Sequence, residues 1–295
     1  MSTPITRVGI VAKQGLVAAS EHLVRLGAWL KERGIETIYE TDTAHLAGTG
    51  VQGRRLSREQ IPEAVDLVIV LGGDGTLIAM AARIGQSKRD VPILGVNFGS
   101  LGFLTEIRID EIHASLQEVL DGTATYDPRM MLAAEGVRER EVFDSRIVLN
   151  DVVFTKGALS RMIELSVSVD GGFVTRVKAD GLIVASATGS TAYNLAAGGP
   201  IVHPLVDALV LTPIAPHTLT NRPIVIPGSA VVEVRPFANG DSDDVFVTYD
   251  GQTGYPMRGG DIVRVRSSGR RLRLVKAPSR SYFELLREKL KWGER

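Results

Sequence analysis

Residues 67–82 read LVIVLGGDGTLIAMAA, and this stretch decides the fold. Leu67–Leu71 is a short apolar run rich in β-branched residues, the pattern of a strand buried on both faces. Gly72-Gly73-Asp74-Gly75-Thr76 interrupts it, and helix formers resume over 77–84. A strand that turns through glycines straight into a helix leaves N–H groups unpaired at the positive end of the helix dipole, an arrangement that binds phosphate. Glycines there allow close backbone approach and positive φ. Asp74 is the odd element, because a carboxylate repels phosphate unless it holds a metal or accepts a proton. An Asp-Gly hairpin turn is the plainer alternative, but a helical segment follows rather than a second strand.

Working outward, Arg7–Ala12 (RVGIVA) reads as a first buried strand with Lys13 just past its end. Residues 17–33 carry Val17, Leu23, Leu26 and Leu30 at helical spacing, with Gly34 as a stop. Residues 35–39 form a second strand, and the polar stretch 41–60 is expected as a surface loop or mobile flap. After the Asp74 helix come a strand over 91–96 and a helix over 109–120, ended near Gly122. Such alternation predicts a parallel sheet with helices on its faces. Ligands of these sheets bind outside the carboxyl ends of the strands, where Lys13, 72–76 and 97–105 all fall.

From about Thr125 the period becomes two, over 162–169, 231–235, 245–249, 262–266 and 272–275. Asp170-Gly171-Gly172 has hairpin composition, and the acidic stretch 239–244 reads as a solvated turn. A second, mostly antiparallel β domain is therefore expected. Residues 281–292 (SYFELLREKLKW) return to helical spacing, with Phe283, Leu286 and Leu290 on one side. The predicted organisation is an α/β domain over 1–124 with 278–295, to which the last helix returns, and a β-rich domain over 125–277.

The chain has 295 residues, 34 basic against 34 acidic, and 44% hydrophobic side chains. Zero formal net charge gives no support for nucleic-acid binding. The absence of cysteine excludes disulfides, thiolate metal sites and cysteine nucleophiles. No apolar run approaches membrane-spanning length and no secretory leader is visible, so a soluble cytoplasmic protein is expected.

Three further stretches carry candidate chemistry. Residues 97–105 (NFGSLGFLT) follow a strand with two glycines, and Phe103 is suited either to stacking on a base or to plain core. Asn150 and Asp151 interrupt an apolar strand; an amide beside a carboxylate can grip a sugar diol, although an edge or a bulge explains the pair equally well. Residues 180–200 (DGLIVASATGSTAYNLAAGGP) run from a strand into a hydroxyl-rich loop and a short small-sided helix, then stop at Gly-Gly-Pro. Capping accounts for one of Thr188, Ser190 and Thr191 but hardly for all three, so a second polar cradle is expected, with Tyr193 on a face that something approaches. No Rossmann glycine fingerprint, Walker loop, G-x-S-x-G or H-E-x-x-H occurs. His217 sits in a polar loop that reads as structural.

Taken together, Gly72-Gly73-Asp74-Gly75-Thr76, residues 97–105, Asn150-Asp151, Asp180-Gly181 and Thr188–Tyr193 with Gly198-Gly199-Pro200 resemble bacterial NAD kinases over nearly the whole chain. The first motif is shared with lipid kinases and, loosely, with phosphofructokinases; the combination is specific. Ala187 stands where the family usually has proline, and Asp151 where many members have glutamate. The resemblance implies transfer of the ATP γ-phosphate to the 2′-hydroxyl of the adenosine ribose of NAD. It implies Asp74 as proton acceptor, with Gly75 also touching the dinucleotide, and Gly72 and Gly73 cradling donor phosphates with Mg²⁺. Asn150 and Asp151 would hold the ribose region, Phe103 would lie beside adenine, and Asp180 would meet the nicotinamide end of a neighbouring copy. Arg161, Lys178, Thr188, Thr191, Ala192, Tyr193, Asn194, Leu195, Ala196 and Gln252 fall on family binding positions. No residue is implied as a fixed metal ligand, and a homodimer or homotetramer is. A lipid or sugar kinase and a non-catalytic NAD sensor are the rival classes.

Overall fold

Most short apolar runs in the first half of the chain become parallel strands, and these alternate with helices. In chain order the elements are β1 (Arg7–Ala12), α1 (Ser20–Glu32), β2 (Glu36–Glu40), α2 (Thr41–Ala47), β3 (Arg54–Leu56), α3 (Ile61–Ala64), β4 (Leu67–Leu71), α4 (Asp74–Gln86), β5 (Ile93–Asn97), β6 (Ile107–Arg108) and α5 (Ile112–Leu120). This computed structural model describes residues 4–99, 101–157, 162–218, 220–237, 245–277 and 280–292. The chain divides into two compact units, Met1–Pro128 with Leu272–Arg295 and Arg129–Arg271.

In the first unit the strands lie in the order β3-β2-β1-β4-β5, all parallel, with β6 beside β5. Every residue of β4 is buried, as its unbroken apolar run requires. The strand order reverses between β1 and β4, and beside such a reversal α/β sheets bind ligands. The carboxyl ends of these two strands are joined by the Lys13 N–H, which donates to the Leu71 carbonyl at 2.8 Å.

The expected loop or flap over 41–60 is instead a helix, a 3-10 turn and strand β3. Most of its polar residues are exposed; the buried Thr43 is paired. Glu40 caps α2 by accepting from the Thr43 N–H (3.0 Å) and hydroxyl (2.7 Å), and it also pairs with Arg58 at 2.9 Å. Thr43 in turn accepts from the Ala12 N–H at 2.7 Å, tying α2 to the end of β1.

The second unit contains β7 (Tyr126–Arg138), β8 (Glu141–Val148), β9 (Asp151–Lys156), β10 (Ile163–Val169), β11 (Gly172–Ala179), β12 (Gly181–Ser186), α6 (Tyr193–Ala196), β13 (Ala208–Ile214), β14 (Ile224–Pro227), β15 (Val232–Pro236), β16 (Val245–Tyr249), β17 (Thr253–Met257) and β18 (Ile262–Val275), the first and last strands crossing its boundary. One antiparallel sheet runs β14-β13-β12-β9-β16-β17; in the other, β11-β10-β15-β18 are neighbours and β7 joins β18 to β8. Residues from both sheets share one core, including Phe154, Leu182, Leu209, Val234 and Val263. The opposite face of the first sheet is also covered, around Ile183, Ala185 and Val210, which explains why β12 is apolar at nearly every position. Asp170 and Gly171 take φ of +49° and +78°, as a tight hairpin needs. The expected strands over 262–266 and 272–275 are the two ends of one strand, β18. The acidic stretch 239–244 lies outside the described residues.

Helix α7 (Tyr282–Leu290) belongs to the first unit and starts with a capping box between Ser281 and Glu284. Its inward stripe differs from the expected one. Leu285 and Leu286 are buried, with Tyr282 and Lys289 half-buried beside them at i, i+3, i+4 and i+7 spacing, whereas Phe283 is 62% exposed. Leu290 is half-buried.

Candidate active site

In the α/β unit the chain leaves β4 through Gly72, whose φ is +158°, and enters α4 at Asp74. Gly72 alone of the three glycines takes a positive φ. Gly73 and Gly75 serve differently: a Cβ at either would stand in open space, so nothing in the chain forbids a side chain there. Their bareness leaves the helix N-terminus approachable from outside.

The Asp74 carboxylate is clamped. Its Oδ2 accepts from the Phe103 N–H at 2.7 Å. Its Oδ1 accepts from the N–H groups of Leu104 (3.1 Å) and Thr105 (3.0 Å) and from the Thr105 hydroxyl (2.9 Å). A Cβ on Gly102 would collide with this carboxylate, so glycine is required there. Asn97 supports the same loop, donating to Thr105 Oγ1 at 3.0 Å and accepting from the Gly99 N–H at 2.6 Å. The segment following β5 thus fixes the orientation of Asp74, and Phe103 within it is half-buried. At the carboxyl end of β1 a cavity of about 230 Å³ is lined by Lys13, Gln14, Gly15, Asp42, Thr43 and His45 among others.

In the β unit, Asn150 is not inside a strand; it lies in the two-residue connection between β8 and β9, and Asp151 opens β9, a central strand. That corrects both the interrupted strand and its edge or bulge alternative. Asn150 and Asp151 are 8% and 4% exposed, and Asn150 Oδ1 is a buried acceptor with no partner. Asp250, after β16, accepts from three successive N–H groups: Leu149 (2.8 Å), Asn150 (2.8 Å) and Asp151 (3.0 Å). Burial, then the neighbouring charge of Asp250, pushes the Asp151 carboxyl up to about 7. Burial raises Asp250 to about 6 against the three N–H bonds that pull it down.

Beyond β12, Thr188–Thr191 form a 3-10 turn before α6. The hydroxyl cradle expected here is mostly turned inward. Ser190 is fully buried, donating to the Ala187 carbonyl (2.6 Å) and accepting from the Val202 N–H (3.0 Å), and Thr191 donates to the Thr188 carbonyl (3.3 Å). The Asn194 side chain is likewise wholly internal: it donates to the carbonyls of Ser190 and Pro200 and accepts from Thr212. Tyr193 and Ala196 are exposed, Thr191, Ala192 and Leu195 half-buried, and Thr188 buried. Asp180 accepts from Lys156 at 2.8 Å, and Lys178 and Gln252 are exposed. Arg161 lies outside the described residues.

Residues 8–124 match the family model of the ATP-NAD kinase N-terminal domain, and residues 149–277 that of the ATP-NAD kinase C-terminal domain. The chain belongs to the ATP-NAD kinase family. It is 50% identical over 279 residues to the NAD kinase of Geotalea daltonii, covering 95% of each chain. It is 46% identical over 291 residues to that of Solibacter usitatus, covering 99% of each. Among solved structures it is similar to yeast NADH kinase complexed with NADH, with a TM-score of 0.92 and 25% identity over 99% of this chain and 89% of that one. The fold also resembles an NAD kinase from Archaeoglobus fulgidus in complex with ATP, with a TM-score of 0.76 and 24% identity over 97% and 100% of the two chains.

For this NAD kinase family member, sequence reasoning passed over Asp250, the residue that organises Asn150 and Asp151. Its only local signal is Asp250-Gly251, which reads as an ordinary hairpin turn. The lining of the β1 cavity was also missed beyond Lys13, because residues 41–46 looked like solvated loop.

Proposed function

We propose that the chain transfers the γ-phosphate of ATP to the 2′-hydroxyl of the adenosine ribose of NAD, giving NADP and ADP. The setting of Asp74 carries the reading: a carboxylate clamped by four donors at the start of α4, flanked by two glycines whose missing Cβ atoms face open space. In this scheme the glycine turn receives the donor phosphates, favoured by the positive end of α4. Asp74 orients the ribose hydroxyl and takes its proton as the new O–P bond forms and the bond to ADP breaks. A loose transition state leaves little charge on the attacking oxygen, so orientation and a late proton acceptor suffice.

Asn150 and Asp151 hold ribose hydroxyls, the amide donating and the carboxylate accepting. Phe103 offers its ring to adenine. Thr188, Thr191 and the backbone of 192–196, including Asn194, meet the dinucleotide with exposed Tyr193; Lys178, Arg161 and Gln252 add polar contacts. Asp180 reaches the nicotinamide end bound by a neighbouring copy in a homodimer or homotetramer. The α/β unit serves the donor nucleotide, and the β unit serves NAD and assembly. Among the described residues no three His, Asp or Glu side chains stand together as a metal cage. Mg²⁺ would accompany the donor, bound to the ATP phosphates and neutralising their charge. Both substrates are metabolites of the cytoplasm, where the enzyme is placed by this proposal.

Purified protein with ATP, Mg²⁺ and NAD should yield NADP, read with an NADP-specific dehydrogenase. Diacylglycerol and fructose 6-phosphate should give no product. NAD binding without turnover would support a sensor instead, and turnover on either alternative acceptor a different kinase.

A further inference from the structure

A two-residue connection between strands of different sheets, as between β8 and β9, cannot pair its own backbone groups, so each needs an outside partner. At residues 149–151 all of them have one. Asp250 accepts the three N–H groups, and its own N–H donates to the Asp151 carbonyl at 3.0 Å. From β12, the Ser186 hydroxyl donates to the Leu149 carbonyl at 2.6 Å and the Ser186 N–H to the Asn150 carbonyl at 2.8 Å. Gly189 lies so close to the Asn150 carbonyl that a Cβ there would collide. With the backbone held on both sides, the buried Asn150 and Asp151 side chains take no part in pairing the turn among the described residues, and Asn150 Oδ1 has no partner of its own.

A neutral acceptor such as asparagine would be the cheaper way to close such a turn, because a second acid beside Asp151 places two enclosed carboxylates together. Only a carboxylate offers two oxygens to three N–H groups at once. We infer that Asp250 is the positioning residue for Asn150 and Asp151, fixing the turn so that their side chains grip NAD; the inference rests on the NAD kinase reading above. Asp250 touches neither substrate. It acts through the turn, and its effect is selective for the substrate that the turn holds.

Asp250→Asn tests this with the full-length enzyme. The amide keeps one acceptor oxygen but must turn an NH₂ toward at least one of the three N–H donors. The KM for NAD should rise by about 10- to 100-fold, while the KM for ATP stays within about twofold. Calorimetry with NAD alone should show the same loss, and amide exchange at Leu149, Asn150 and Asp151 should speed up. A folded variant with an unchanged KM for NAD, or with both KM values raised equally, overturns the inference. If Asp250→Asn does not fold, Ser186→Ala decides: removal of the opposing bond to Leu149 should raise the KM for NAD alone by about 3- to 10-fold, and no selective rise overturns the inference. Wild-type enzyme that neither binds NAD nor makes NADP would defeat the parent reading instead, a result visible before any variant is assayed.

Discussion

Asp74 in the α/β unit and Asp250 in the β unit each gather three consecutive backbone N–H groups, Phe103 to Thr105 and Leu149 to Asp151 respectively. Among the described residues neither is paired with a lysine or arginine. Asp66, at the other end of the first unit's sheet, provides the contrast. It also accepts backbone N–H groups, from Thr6 and Arg7, but its charge is met by the guanidinium groups of Arg7 and Arg89 at 2.9 and 2.8 Å. A carboxylate answered by cations is complete and serves the fold. One answered only by backbone dipoles fixes a loop while leaving its net charge for another partner. The two differ in what they present: Asp74 stands beside open glycines, whereas burial of the Asp250 carboxyl leaves Asn150 and Asp151 to act.

The largest expected effect lies at Asp74. Asp74→Asn cannot accept the hydroxyl proton, and its NH₂ must face at least one of the four donors that now clamp the carboxylate. NADP formation should fall by about 10²–10⁴-fold. Stability should fall as well, by about 1–3 kcal/mol for donors left unsatisfied, which chemical denaturation can read. A variant within about tenfold of wild-type rate would remove the carboxylate from proton transfer. Unchanged stability would mean that the clamp is not what holds residues 103–105.

The same comparison shows what the sequence makes legible. Asp74 and its loop are about thirty residues apart, each marked by glycines next to a strand, so pattern and spacing reveal both. Asp250 meets its turn across about a hundred residues, and no local period records that meeting. The stretch 41–60 failed for a related reason. Glu40 and Thr43 look solvated until Arg58 and the end of β1 are brought to them, and pairing rather than composition then decides burial. In α7 the helix was read correctly, but the phase of its buried stripe was not, because Phe283 outweighed Leu285 in a pattern only nine residues long. Parallel sheet, β unit and returning helix all rest on periodicity and were visible; the positioning of side chains by distant turns was not.

Asp66→Asn should affect stability and leave catalysis alone. Burial pushes the Asp66 carboxyl up, but bonds from Arg7, Arg89 and Thr6 together hold it well below the usual carboxylate range. A depressed folded-state pKa contributes stability that is present above the unfolded value near 3.9 and is lost as pH falls through the folded value. The variant should therefore be about 2–4 kcal/mol less stable than wild type at pH 7, and the gap should narrow at the lowest pH the protein survives. Both KM values should stay as in wild type. A changed KM for NAD would place Asp66 with Asp74 and Asp250 and break the contrast between cation-paired and backbone-paired carboxylates.

The smallest effect carries the opposite sign. Burial and the charge of Asp250 raise Asp151 to about 7 and burial raises Asp250 to about 6, so the folded pair keeps a proton that an unfolded chain releases near 3.9. Of the two, Asp151 is the better holder of that proton, because three N–H donors favour the charged form of Asp250. A raised folded-state pKa contributes stability that is complete below the unfolded value and is lost as pH rises through the folded one. Wild-type enzyme should thus lose stability between about pH 4 and 7 through this pair, whereas Asp151→Asn has no second charge to enclose. Measured by denaturation at pH 5 and pH 8, the variant should gain on wild type by about 1–3 kcal/mol across that interval, even as its KM for NAD rises. A variant that instead falls further behind at pH 8 would mean that Asp151 has a counter-charge in the folded protein. It would then belong with Asp66, and the unanswered charge that marks this turn as a binding site would be gone.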